Sequence, residues 1–402
     1  MKKTIILLLC TITLSIVPIS ESMAFASTKE TKVLNEYDYN IDNFSIKKYY
    51  CGGYHELEQP SELQITTRRA KDNYDINGNR MLDYTKNSNI NSIANKIICN
   101  TDGTSNPIFK KCYYSVDNKN LITELTNVCN GKSSDLGDKK TIVNMILNNI
   151  YSRADSLAYT AHTPGWNTTV VTLRKYLGMT GDNSWRKGMV DSYNNSIEDT
   201  LKNYGIYSKV YQDKQLINMN DLLSIDSQKK LYKKNLNKLF EYIDKQIDNN
   251  TINGWSYVIK SSINSPLTVC NLSDIEENHN QEGTANFLFG LKKTEADLYL
   301  SIGDSYGSII AYLAPSGDNK YDITIGYYLD DYYDFADESV AYNNITQGEM
   351  KLLHDSGYIY TAGEDTGYGE VGEKYKAENY KMFGAYQEDI KYSKGFRYTI
   401  ND

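Results

Sequence analysis

The chain has 402 residues, 40% hydrophobic and 23% charged, with 26 Gly and 6 Pro, which excludes collagen-like, coiled-coil and wholly disordered chains. Its net charge of −8 argues against nucleic-acid binding, where a basic patch supplies most of the affinity. Tyrosine stands out, with 36 Tyr against 9 Phe and 3 Trp; it could mark an aromatic recognition surface, but it spreads along the whole mature chain, as coding bias would spread it.

Residues 1–26 have the pattern of a secretory leader. Lys2 and Lys3 form a basic start, residues 5–17 an apolar stretch, and Ala24-Phe25-Ala26 a small-residue cleavage site, so Ser27 is the expected mature start. The apolar run is short and broken by threonines, which disfavours a membrane span. Secretion of a soluble mature chain is therefore expected. Five cysteines follow the leader: Cys51, Cys99, Cys112, Cys129 and Cys270. Outside the cell an odd count suggests two disulfides and one remaining thiol, and the first four cluster in the segment before residue 130. Zinc is disfavoured, because no CxxC pair occurs and His55, His162, His279 and His354 are scattered.

Residues 27–138 are polar and loop-rich, with a short strand candidate at 63–66. Residues 139–266 read as a helical section. Helical spacing predicts helices over 141–161, 168–177, 195–203 and 227–247. Lys229, Lys230, Lys233, Lys234 and Lys238 crowd the first half of the last helix. Such a face could touch an anionic membrane surface, although Asp226, Glu241, Asp244 and Asp248 flank it and favour a solvated face. From about 267 onward the period changes to two. Strands are predicted over 298–302, 308–313 and 321–329, with a hairpin turn at Pro315-Ser316-Gly317-Asp318. A short helix over 347–354 closed by Gly357, a glycine-punctuated loop over 363–373 and one or two final strands complete the chain. The expected class is α+β: helices followed by a small antiparallel sheet, with residues 139–402 forming one domain.

Three clusters carry candidate chemistry. Gly303-Asp304-Ser305-Tyr306 resembles the nucleophile motif of GDSL-type hydrolases, but its place beside a small sheet favours a tight turn. Asp75-Ile76-Asn77-Gly78-Asn79 begins like a calcium loop, yet Lys86 stands where the bidentate acid belongs, so it reads as an Asx-rich turn. The densest cluster is Asp330-Asp331-Tyr332-Tyr333-Asp334-Phe335-Ala336-Asp337, at the end of a predicted strand. There Asp331 and Asp334 could converge on Mg²⁺ beside a phosphate, and crowding could make one of them a general base; the alternative is a solvated acidic strand end.

This hairpin running into Asp-Asp-x-Tyr-Asp-Phe resembles the activity domain of the colicin M family of lipid II-degrading bacteriocins. The run Thr169-Val170-Val171-Thr172-Leu173-Arg174-Lys175-Tyr176-Leu177-Gly178-Met179-Thr180-Gly181 is similar to that domain's helix and the turn after it. The likeness covers roughly residues 142–357, with an insertion over 211–265. It implies a secreted toxin whose Mg²⁺-dependent phosphodiesterase cuts the lipid carrier from the peptidoglycan precursor. By that resemblance Asp331, Tyr333 and Asp334 occupy motif positions, and His354 is the histidine available as a base. At the family's His-Arg pair this sequence has Val340 and Ala341. That departure motivates a second expectation: a non-catalytic secreted protein of the same fold that recognises a cell-surface or envelope ligand.

Overall fold

The computed structural model describes residues 44–49, 59–60, 139–180, 185–262, 267–272, 291–333, 347–361 and 374–400. The strand at 63–66, the calcium-like loop, Asp334, His279, Val340, Ala341, the loop at 363–373 and the cysteines before 130 lie outside them.

The sheet is built on one long hairpin. Strand β5 (Ser305–Gly317) pairs antiparallel with β6 (Lys320–Tyr333), and Gly317 opposite Lys320 closes a turn at Asp318 and Asn319. The turn falls two residues beyond the predicted one. Asn319 adopts φ 52°, a left-handed conformation that asparagine tolerates, whereas Pro315 remains in the strand opposite Tyr321. Strand β9 (Tyr380–Ser393) pairs antiparallel with β6 along its whole length. On the other side of the hairpin, β3 (Ser256–Ser261) and β4 (Leu267–Cys270) both pair with β5. Strand β1 (Phe44–Tyr49), from the segment before residue 139, pairs antiparallel with β3 and so belongs to the same sheet.

The remaining strand corrects the expectation of an antiparallel sheet. The three-residue β2 (Gln215–Ile217) lies parallel to β9, so the seven-stranded sheet is mixed, in the order β1-β3-β5-β6-β9-β2 with β4 on β5. Two short strands, β7 (Ile359–Thr361) and β8 (Lys374–Lys376), form a separate pair.

Period two along β6 sorts the core into two sides. Ile323, Ile325, Tyr327 and Leu329 face one side; Tyr328 faces the other, with Ile310, Val258 and Phe383. The first side is covered chiefly by α6 (Asp226–Asp248), whose Leu236, Leu239, Phe240 and Ile243 are fully buried. Asn235 of this helix donates to the Thr268 carbonyl at 2.9 Å and to the Tyr327 hydroxyl at 3.0 Å. Its Lys229, Lys230 and Lys234 are exposed on the opposite face. The second side is covered by α3 (Trp185–Asn203) and the single turn α4 (Ser208–Tyr211), through Ile197, Leu201 and Tyr211. A further turn, α5 (Met219–Leu223), leads from β2 into α6.

Helix α1 (Lys139–His162) and helix α2 (Asn167–Tyr176) pack against each other, and α8 (Gln347–Ser356) packs on α1. Gly357, at φ 61°, ends α8 as the sequence predicts.

The predicted strand at 298–302 is instead the end of a helix, α7 (Lys293–Ser301). Leu298 and Ile302, both buried, are four residues apart, so they share a helical face as readily as a strand face. Glu295 decides the outcome by accepting the Lys292 backbone N–H at 3.0 Å, which closes the first turn. Gly303, at φ 61°, then turns the chain into β5, so the GDSL-like serine begins a strand. Ser305 is fully buried, and among the described residues its hydroxyl reaches the Ile302 carbonyl alone, at 3.4 Å.

Candidate functional site

The Asp-Asp-Tyr-Tyr segment ends β6, between the start of β9 and the start of β5. Strand periodicity divides it: Asp330 and Tyr332 point to one face of the sheet, Asp331 and Tyr333 to the other.

On the α3 side, Asp330 is buried at 6% exposure, and its Oδ1 lies 3.5 Å from the Lys214 Nζ. Lys214 is also buried and lies 5.4 Å from the centre of the Phe383 ring, so an ion pair and an aromatic face together hold it. Sequence reasoning missed this pair. Lys214 lies 116 residues from Asp330, and no local spacing could have joined them.

On the α6 side, Asp331 is 5% exposed and its Oδ1 accepts the Tyr332 backbone N–H at 2.8 Å. Cys270 lies close enough to feel its charge. Burial pushes the Cys270 thiol well above its ordinary value, and the Asp304 and Asp331 carboxylates add to that shift. The Cys270 Sγ donates to the Gly303 carbonyl at 3.0 Å, and Asp304 accepts the Leu272 N–H at 3.1 Å. Two residues on, Tyr333 stacks on Tyr380 with ring centres 5.1 Å apart and meets Tyr176 edge-on at 5.8 Å. Burial raises the Tyr333 phenol far beyond its ordinary value, against a smaller opposing effect from Thr172.

The helix that resembles the bacteriocin helix is α2. It starts without a cap from Trp166, and a distant residue supplies the missing acceptor. Asp297 of α7 takes the Thr168 N–H at 3.0 Å and the Thr169 N–H at 2.7 Å, one on each carboxylate oxygen. Tyr176 near its other end donates to the Met350 carbonyl at 2.9 Å and thereby ties α2 to α8. Gly178, at φ 70°, follows; a Cβ there would fall 2.5 Å from the Lys376 carbonyl oxygen.

His354 sits on α8, where its Nδ1 is 3.2 Å from the Asp355 Oδ1. Elsewhere on α8, Glu349 and Arg153 form a two-bond ion pair at 3.0 and 3.1 Å, binding α8 to α1. Arg186 of α3 reaches the Asp155 carboxylate of α1 at 3.0 Å, with Arg174 of α2 close by. This second set, with Arg174 and Arg186 buried between α1, α2 and α3, is a feature that the sequence did not announce.

Asp331 and Tyr333 are thus brought onto one face, while the described contacts of His354 lie on α8. Among the described residues no group of three or more His, Cys, Asp or Glu side chains gathers in the way a metal ion requires. One oxygen of Asp331 is engaged by a backbone amide. Among the described residues, no helix is long and apolar enough to cross a membrane. Compared with known proteins, the chain matches no family model, no curated protein and no solved structure.

Proposed function

We propose that this chain is a secreted effector with a colicin M-like fold that binds a lipid-linked or other cell-envelope component without cleaving it. The observation that carries the reading is the burial of both Asp331 and Tyr333, which turn into the covered side of the sheet. A diphosphate substrate would have to displace the packing on this face, including Tyr176 of α2 and Tyr380 around Tyr333, to reach them. The exposed lysines of α6 support the membrane-side part of the proposal, since they would meet anionic headgroups.

The test is incubation of the mature protein, residues 27–402, with lipid II in anionic vesicles and Mg²⁺, beside an Asp331→Ala/Asp334→Ala double variant. The expected result is co-sedimentation with the vesicles at low salt and no release of undecaprenol by either protein. Release by the wild type alone would establish the phosphodiesterase instead. Absence of vesicle binding at low salt, from folded protein, would remove the envelope reading.

A further inference from the structure

The loop that joins α6 to β3 carries Asn253 and Gly254 side by side, both exposed. Ile252 before them and Tyr257 after them are buried, so the pair is held between two anchors in the core. Gly254 adopts φ 78°, a left-handed conformation, and a Cβ built on it would meet nothing within 4 Å. Its backbone nitrogen is therefore open to the side chain that precedes it.

Three hydrogen bonds set the geometry of this pair. The Tyr257 hydroxyl donates to the Asn253 Oδ1 at 2.8 Å and accepts the Asn253 backbone N–H at 3.1 Å. The Tyr321 hydroxyl of β6 accepts the Gly254 N–H at 3.0 Å. The Tyr257 donor thus serves the oxygen on which negative charge grows when a nucleophile adds to the Asn253 amide carbon. The nucleophile is the next nitrogen along the same chain, so the attack is intramolecular and closes a five-membered ring.

We propose that Asn253 is a self-modification site, which converts to aspartate and isoaspartate through a cyclic imide with Gly254. Solvent hydroxide takes the Gly254 amide proton. The nitrogen pair then attacks the Asn253 Cγ, while the C=O π pair moves to Oδ1 beside the Tyr257 hydroxyl. As that pair returns, the bond from Cγ to the side-chain nitrogen breaks, and the nitrogen takes a proton from water and leaves as ammonia. Water opens the imide at either carbonyl. The net change consumes one water and releases one ammonia. The aspartate product places a carboxylate against Tyr257. The isoaspartate product adds a carbon to the main chain just before β3, the strand that pairs with β1. The reaction needs no part of the envelope-binding reading.

The experiment incubates the folded full chain in mildly alkaline buffer. Mass spectrometry of the Asn253 peptide reads the gain from amide to acid, and isoaspartyl methyltransferase counts the isoaspartate. Asn253 is expected to convert about tenfold faster in folded protein than in the same chain in denaturant. Tyr257→Phe keeps the ring in the core but removes the donor, and should lose that advantage. Tyr321→Phe loosens the same loop without touching the Asn253 carbonyl, and should keep it. Equal rates in folded and denatured chain, or an amide that persists in folded protein, would overturn the proposal. So would a Tyr257→Phe protein, folded by circular dichroism, that converts as fast as wild type, or equal slowing by both Tyr→Phe variants.

Discussion

Asp297 holds Thr169 at two points: its Oδ1 accepts the Thr169 backbone N–H at 2.7 Å, and its main-chain carbonyl accepts the Thr169 hydroxyl at 2.9 Å. One buried acid therefore caps a helix through a residue 128 positions earlier in the chain and locks α7 across its start. Asp297→Ala leaves two buried amides without an acceptor and should cost about 2–4 kcal/mol in urea unfolding. Asp297→Asn keeps an acceptor oxygen and should lose roughly half as much. Equal, negligible losses from both would show that α2 needs no cap from α7.

Asp244 of α6 anchors the end of the chain. Burial raises its carboxyl, but hydrogen bonds from the Tyr392 hydroxyl, the Gly395 N–H and the Arg397 guanidinium outweigh that and hold it below the usual carboxylate range. A folded value below the unfolded one means that the folded state releases this proton more readily. The stabilisation is then full above about pH 4 and declines as the pH falls through the folded value. Asp244→Asn should be less stable than wild type at about pH 7, and the gap should narrow as the pH falls to about 2. Urea midpoints across that range check it; a constant gap would count against the anchor's charge.

Gly307 has no room for a side chain. A Cβ there would fall 1.8 Å from the Tyr328 carbonyl oxygen and 2.7 Å from the Val269 side chain. Gly307→Ala should force β5 from β6 and cost about 3 kcal/mol or more, whereas an ordinary surface substitution stays within about 0.5 kcal/mol. Gly317→Ala, at the hairpin tip, meets only the Lys320 side chain at 3.5 Å or more and serves as the tolerated control. Thermal unfolding followed by circular dichroism separates the two.

Cys270 should be chemically silent in the folded protein. It is fully buried and its thiol is held protonated, so little thiolate is available to react. Iodoacetamide at about pH 8 should leave the Cys270 peptide unmodified until denaturant is added. Rapid native alkylation at this position would mean that the sheet opens beside Asp331.

The sequence was legible where structure is local. Residues at helical spacing located α1, α2, α6 and α8 to within a few residues, because each buries one stripe against a neighbour. The hairpin strands were visible in Ile323, Ile325, Tyr327 and Leu329 for the same reason at period two. Sequence reasoning failed at α7, where Leu298 and Ile302 fit either period. It missed β2, whose three residues are too short to show any period. The acidic cluster was found, but its division between two faces follows from β6 continuing to Tyr333, several residues past the predicted strand end. Lys214, which satisfies Asp330, comes from a different part of the chain and left no mark near the motif.

The place of β9 has a consequence for how the chain acquires its fold. The strand at 380–393 is not an edge: it lies between β6 and β2, and among the described residues β2 joins the sheet through it alone. Until synthesis has passed Ser393, the long β6 has an open flank, and the α3–α4 layer has no strand to anchor its short partner. A ribosome-bound or truncated chain would therefore present an unpaired fourteen-residue edge, a template for pairing with other chains. Closure of the β6 flank therefore waits for β9.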